Sequence, residues 1–167
     1  MYMSKIIEGA VILNRLYLKK IPDIFQGVEV HSDFYCEYNQ LSSLEGAPKR
    51  IGGDFFCYHN RLTSLEGAPE YVGGDFNCPS NQLSSLKGAP EHVDGNFYCY
   101  HNQLTSLEDA PKYVGGDFVC SNNQLTSLKG APKYVGGNFY CSNNAVKFTE
   151  EQVRAVCQVK GRCICLK

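Results

Sequence analysis

Apolar positions recur along the chain with a period of 21 residues. Sliding the sequence by that interval superposes Phe34, Phe55, Phe76, Phe97, Phe118 and Phe139, and it also superposes Cys36, Cys57, Cys78, Cys99, Cys120 and Cys141. Phe-x-Cys alternates apolar with variable residues, the signature of a short strand with one buried face. Two leucines spaced by three follow (Leu41/Leu44, Leu62/Leu65, Leu83/Leu86, Leu104/Leu107, Leu125/Leu128), which predicts a tight helical turn or a pair of β-turns. Ala-Pro and then Ile or Val come next, and the proline forbids a long helix there and fixes the return path. Gly52-Gly53, Gly73-Gly74, Gly115-Gly116 and Gly136-Gly137, with Asp94-Gly95 as the variant, are expected to supply positive-φ turns into the next strand. A constant period without insertions predicts a right-handed solenoid, in which each unit is one coil that buries its apolar face by stacking on its neighbours.

Five full units run 33–53, 54–74, 75–95, 96–116 and 117–137, and a truncated sixth runs from Asn138 to about Phe148. This divides the chain into an N-terminal cap and degenerate coil (1–32), the solenoid (33–148) and a C-terminal cap (149–167). In the first part Ala10–Leu13 reads as a short strand. Leu16, Leu18, Ile21, Ile24, Val28 and Val30 read as a coil with about two extra residues. Such a cap is expected to show a polar outer face. In the last part Thr149-Glu150-Glu151-Gln152 is a capping box, with Val153, Val156 and Cys157 at helical spacing, so a helix is predicted over roughly 149–158. Gly161 ends it. Cys163-Ile164-Cys165-Leu166 reads as a final edge strand, its edge kept charged by Arg162 and Lys167.

Phe-x-Cys-x-x-Asn-x-Leu-x-x-Leu resembles the leucine-rich-repeat consensus Leu-x-Leu-x-x-Asn-x-Leu-x-x-Leu, with Phe and Cys at the first two Leu positions. The short unit is also similar to repeat proteins common in tailed-phage and prophage genomes, through its Ser-Leu-Glu-Gly-Ala-Pro and Val-Gly-Gly-Asp-Phe phrases and the segment Phe148–Val153. The resemblance implies a curved solenoid with about six short parallel strands forming a concave sheet and a convex side of turns or 3-10 helix. It implies a binding rather than a catalytic role. The expected partner is a bacterial host protein that the chain modulates or inhibits, a defence component among the candidates.

Charge and composition narrow the alternatives. Sixteen basic against 17 acidic side chains leave a net charge of -1, so there is no global positive field of the kind that non-specific nucleic-acid binding uses. The apolar run Ala10–Leu13 is far too short to span a membrane or to serve as the core of a signal peptide, and a cytoplasmic protein is expected. Nine cysteines are an odd number, and six share one repeat position, which favours reduced, buried thiols over a disulfide framework. The Asn39, Asn60, Asn81, Asn102, Asn123, Asn144 column is expected to bridge coils through backbone groups. Asp33, Asp54, Asp75, Asn96, Asp117 and Asn138 are expected to bond their own turns. No nucleophile-base pair, phosphate loop or metal-ligand spacing is present. Zinc on Cys157, Cys163 and Cys165 and calcium on the aspartates are both set aside, and neither catalytic residues nor cofactors are expected.

The remaining signal lies in the outward strand positions. Tyr35, Tyr38, Phe56, Tyr58, His59, Tyr98, Tyr100 and His101 concentrate aromatic and histidine side chains on one face, as interface hot spots do. A ladder that only stabilises the sheet is the duller reading. Glu45, Glu66, Lys87, Glu108 and Lys129 switch sign from unit to unit, as do Lys49, Glu70, Glu91, Lys112 and Lys133, the mark of a solvated convex surface. The favoured function is a non-catalytic protein-binding module. A sequestering protein for a small molecule or nucleotide and a structural virion component are the alternatives. Pairing of two solenoids through an exposed edge or the concave face is left open.

Overall fold

The computed structural model describes residues 5–166. Every coil contributes a two-residue strand to each of two eight-stranded parallel sheets. The first sheet contains β1 (Ile6–Ile7), β3 (Glu29–Val30), β5 (Arg50–Ile51), β7 (Tyr71–Val72), β9 (His92–Val93), β11 (Tyr113–Val114), β13 (Tyr134–Val135) and β15 (Gln158–Val159). The second contains β2 (Val11–Ile12), β4 (Phe34–Tyr35), β6 (Phe55–Phe56), β8 (Phe76–Asn77), β10 (Phe97–Tyr98), β12 (Phe118–Val119), β14 (Phe139–Tyr140) and β16 (Cys163–Ile164). The expectation of about six strands in one sheet is corrected in two ways. The terminal coils pair as full rungs, and the Ile/Val of the return path is itself a strand. Only one residue of each return strand is buried, between proline and glycine, so no alternation marked it in the sequence.

Register shows how the ends were fitted. Phe55 pairs with Phe76 and Phe97 with Phe118, whereas Val11 pairs with Phe34 and Phe139 with Cys163. The first coil therefore holds the two expected extra residues, and the last holds three, which accommodate the helix.

The core is a stack of columns. The phenylalanine rings lie 5.8, 5.2, 5.2, 5.7 and 5.1 Å apart from Phe34 to Phe139, and Phe25 closes the stack edge-on at 5.6 Å. The column cysteines are free thiols. Sγ of Cys57, Cys78, Cys99 and Cys120 donates to a carbonyl of the following coil at 3.2–3.5 Å. Turns and bends hold the leucine pairs, and the one 3-10 helix among the described residues is Asp23–Phe25 in the first coil.

The reading of the glycine pairs is corrected. Positive φ belongs to the Gly-Ala-Pro position, as at Gly88 (φ 90°), with Asp109 (φ 65°) standing there in the fourth unit. The Gly-Gly pairs serve close approach instead: a Cβ on Gly74 would lie 2.1 Å from Asp54 Oδ1.

Helix α1 (Glu150–Val156) starts at the expected capping box, with Gln152 N–H donating to Thr149 Oγ1 and Thr149 N–H to Gln152 Oε1. Val153 and Cys157 are buried, but Val156 is 43% exposed, against expectation. The Arg154 guanidinium donates to the carbonyls of Val159 and Gly161 at 2.7 and 3.0 Å, fixing the helix to the corner before β16. Lys167, expected to charge that edge, lies outside the described residues. The outer surface of the first coil is mixed rather than uniformly polar, with Ile6, Ile12, Leu16, Tyr17 and Ile24 exposed beside Lys5, Glu8, Arg15, Lys19, Lys20 and Asp23. No helix among the described residues is long and apolar enough to cross a membrane.

Candidate functional site

Two side-chain ladders fix the backbone on which the aromatic residues stand. Asn102 is representative of the first: its Oδ1 accepts from Leu83 N–H at 3.0 Å, and its Nδ2 donates to Cys78 O at 3.2 Å and Cys99 O at 3.1 Å. The same three-way bridge recurs at Asn60, Asn81, Asn123 and Asn144. The Asp/Asn column forms the second ladder, but it caps the following coil rather than its own turn. Asp33 Oδ1 accepts from Asp54 N–H, Asp54 from Asp75, Asp75 from Asn96, Asn96 from Asp117, Asp117 from Asn138 and Asn138 from Arg162, all at 2.6–2.9 Å. These charge-assisted bonds offset the repulsion of stacked carboxylates.

On this support the outer face of the second sheet carries three columns. Tyr35, Phe56, Asn77, Tyr98, Val119 and Tyr140 are in register as the outward strand residues. The second column, just beyond the strands, reads Glu37, Tyr58, Pro79, Tyr100, Ser121 and Ser142. The third reads Tyr38, His59, Ser80, His101, Asn122 and Asn143, every one in the left-handed region with φ of 51–55°.

The eight residues singled out in the sequence form two islands rather than one strip. In the first, Tyr35 stacks on Phe56 at 4.8 Å and Tyr38 on His59 at 4.7 Å, while Tyr58 meets Tyr38, Phe56 and His59 edge-on at 5.3–6.3 Å. In the second, Tyr100 meets Tyr98 at 6.3 Å and His101 at 5.4 Å. Asn77, Pro79 and Ser80 of the third unit separate them. Each side chain is half-buried or exposed, so rims and edges face solvent.

Sequence reasoning missed Glu37, which lies within the first island and is only 4% exposed. Its Oε1 accepts from Asn14 Nδ2 at 2.7 Å, and its Oε2 has no hydrogen-bond partner among the described residues. Arg15 of the first coil places its guanidinium over the Tyr38 ring at 4.6 Å. The Tyr58 phenol is pushed above its ordinary pKa by burial and then by the Glu37 carboxylate. Burial and the carboxylates of Asp75 and Asp117 do the same to Tyr98. The Tyr35 hydroxyl donates to Asp33 Oδ2 at 3.0 Å, and this bond leads the upward shift of its pKa. These phenols stay neutral through the physiological range, presenting hydroxyls beside a line of carboxylates.

A second aromatic file, also missed, stands on the first sheet. Arg50 covers Tyr71 at 4.3 Å, and His92, Tyr113 and Tyr134 stack at 4.2 and 4.9 Å. Their ring faces are turned on one another, which suits a sheet-stabilising ladder. Opposite charges pair from coil to coil elsewhere, as Lys87 with Glu66 and Lys129 with Glu108, both at 2.7 Å. This accounts for the sign switching seen in the sequence. An apolar cleft of about 470 Å³ lies between α1 and the Leu128–Lys129 turn, away from the aromatic face. No group of three or more His, Cys, Asp or Glu among the described residues is arranged to hold a metal ion.

No family model matches the sequence, and no curated protein matches it. Among solved structures, the chain is similar to the leucine-rich-repeat domain of a Shigella effector, with a TM-score of 0.58 and 20% sequence identity over 95% of this chain and 70% of that one. The fold is thus a leucine-rich-repeat-like β-solenoid of about eight turns with a single C-terminal helix.

Proposed function

We propose that the protein is a non-catalytic binding module that engages another protein through the outer face of the second sheet, around the two aromatic islands. The observation that carries this reading is the placement of Tyr35, Tyr38, Phe56, Tyr58, His59, Tyr98, Tyr100 and His101 on one surface whose backbone is held by the Asn and Asp ladders. Pre-organised aromatic side chains lose little entropy on docking and dominate binding energy where they occur. The similarity in fold to a leucine-rich-repeat domain supports a scaffold for binding. The finer assignment, a phage-type protein acting on a bacterial host protein that it modulates or inhibits, rests on the resemblance of the repeat phrases.

Affinity capture from bacterial lysate with the wild-type chain, followed by titration of the recovered protein, tests this. Tyr58→Ala combined with Tyr100→Ala is expected to leave the circular dichroism spectrum unchanged and to weaken binding by about 2 kcal/mol or more, roughly 30-fold. The exchange Glu66→Lys with Lys112→Glu, on the solvated opposite charges, is expected to leave affinity unchanged. Loss of binding in the charge exchange with retention in the aromatic variant would move the interface away from the second sheet.

A further inference from the structure

Two buried side-chain polar atoms among the described residues have no hydrogen-bond partner, Glu37 Oε2 and Asn77 Nδ2. Both belong to outward positions of the second sheet, in the coils on either side of the one that carries Phe56 and Tyr58. A buried polar group left unpaired costs free energy, and a buried charge costs more. Glu37 is therefore the more demanding of the two. It stands in the second column between Asn14 and Tyr58, with Tyr35 and Tyr38 in the columns on either side. Although it lies on the outer face, these neighbours leave it 4% exposed. Its Oε1 takes the neutral amide of Asn14, and it forms no ion pair among the described residues. Arg15 reaches the same island, but its guanidinium lies over the Tyr38 ring rather than on the carboxylate.

The face around Glu37 is acidic as well. None of the outward positions in the three columns of the six units is lysine or arginine. Asp33, Asp54, Asp75 and Asp117 run along its border, each giving one carboxylate oxygen to a backbone N–H of the following coil. Aromatic ring faces attract cations through their quadrupole, and Arg15 on Tyr38 and Arg50 on Tyr71 show rings of this chain doing so. Rings backed by a carboxylate that solvent does not screen attract a cation more strongly than either group alone.

We propose that the first island is a cation-binding site whose occupant is a lysine or arginine side chain of the partner protein, seated against Tyr38 and Tyr58 with Glu37 as its counter-charge. This deepens the reading of the face as a protein-binding surface and rests on it. The rings accept the alkyl stem, and the buried carboxylate selects a charged head over an apolar group of the same shape.

Titration of the full chain with n-butylammonium and n-propylguanidinium chloride, followed through the tyrosine ring signals by NMR, is the test. The neutral match is n-butanol, and sodium chloride controls for ionic strength. Both cations are expected to shift the Tyr35, Tyr38 and Tyr58 rings saturably, with smaller changes at Tyr98 and Tyr100 and none from n-butanol or sodium chloride. Glu37→Gln keeps the acceptor for Asn14 and is expected to weaken probe binding at least about tenfold with an unchanged circular dichroism spectrum. Arg15→Ala removes an exposed, competing cation and is expected to bind the probes at least as tightly as the wild type, a readout that does not need the Glu37 variant to fold. Equal shifts from n-butanol, shifts shared evenly by the two islands, weaker binding by Arg15→Ala or unaltered binding by Glu37→Gln would overturn the cation site. A captured partner that is lost with Tyr58→Ala and Tyr100→Ala but held by Glu37→Gln would keep the binding face and overturn the cation site. Saturable probe binding with no protein captured would keep the cation site and overturn its protein occupant.

Discussion

Raising the pH should unfold this protein through its cysteine column. Cys36, Cys57, Cys78, Cys99 and Cys120 are wholly enclosed, and burial, the leading cause at each, pushes all five thiols well above their ordinary range. An unfolded chain releases those protons above about pH 8.5, while the folded chain keeps them. The unfolded state therefore binds fewer protons, and stability present in full below pH 8.5 is lost as the pH rises toward the folded values. Each thiol lowers the unfolding free energy by about 1.4 kcal/mol per pH unit once its unfolded form is fully ionised, so five together lose about 5 kcal/mol between pH 8.5 and 9.5, where ionisation is still incomplete, and about 7 kcal/mol per unit above that. Against a typical stability of about 5–15 kcal/mol, the fold should fail within about one to two pH units above 8.5. Urea denaturation with reductant at pH 8.5, 9.0 and 9.5 reads the slope below the range where phenols ionise. Replacing Cys57, Cys78 and Cys99 by alanine should lower stability at neutral pH yet reduce the loss between pH 8.5 and 9.5 to about 2 kcal/mol. A wild-type slope below about 1.4 kcal/mol per unit, or equal slopes in the two proteins, would show that the thiols are not sealed in the core.

Asn102→Ala leaves the buried Leu83 N–H without its acceptor, while Cys78 O and Cys99 O keep the amides of Asn81 and Asn123, and it should cost about 1–3 kcal/mol in urea denaturation, the penalty of one orphaned buried group. His101→Asn should raise the melting temperature by a few degrees, because asparagine tolerates the left-handed backbone at φ 53° better than histidine does. The same variant is expected to weaken capture of the partner, and an unaltered affinity would separate His101 from the binding face.

Legibility in the sequence followed repetition. The Phe, Cys, Leu and Asn columns could be read because the same environment is written out once per coil, and the inserted residues before Asp33 because they break that rhythm. The first sheet was hidden, since a strand of two residues with one buried member has no period to display. The Asp column was recognised as structural, but its bonds run to the following coil, a contact between residues 21 apart that local turn chemistry does not suggest. Glu37 escaped notice because its neighbours come from different coils: Asn14 and Arg15 from the first, Tyr58 from the third. Apolar exposure on the first coil could not be read either, because leucine and isoleucine spell the same pattern whether they face a core or an open end.

Backbone conformation divides the outward columns into two kinds. Tyr35, Phe56 and Tyr98 sit on ordinary strand backbone, so an aromatic residue there costs the fold nothing and stacking rewards it. Tyr38, His59 and His101 sit at φ of 51–54°, where a non-glycine residue costs about 1–2 kcal/mol and asparagine is the cheapest substitute. Asn122 and Asn143 occupy the equivalent places in later units and hydrogen-bond each other at 3.1 Å. Tyr38 and His59 recover part of their cost by stacking together and through Arg15. His101 has Ser80 on one side and Asn122 on the other, and its aromatic contact is the edge of Tyr100 at 5.4 Å. A scaffold position would have no reason to hold histidine there. Strain of this kind at an exposed position motivates a functional hypothesis, and we predict that the Tyr100–His101 corner contributes to docking of the proposed partner, which the His101→Asn affinity measurement tests.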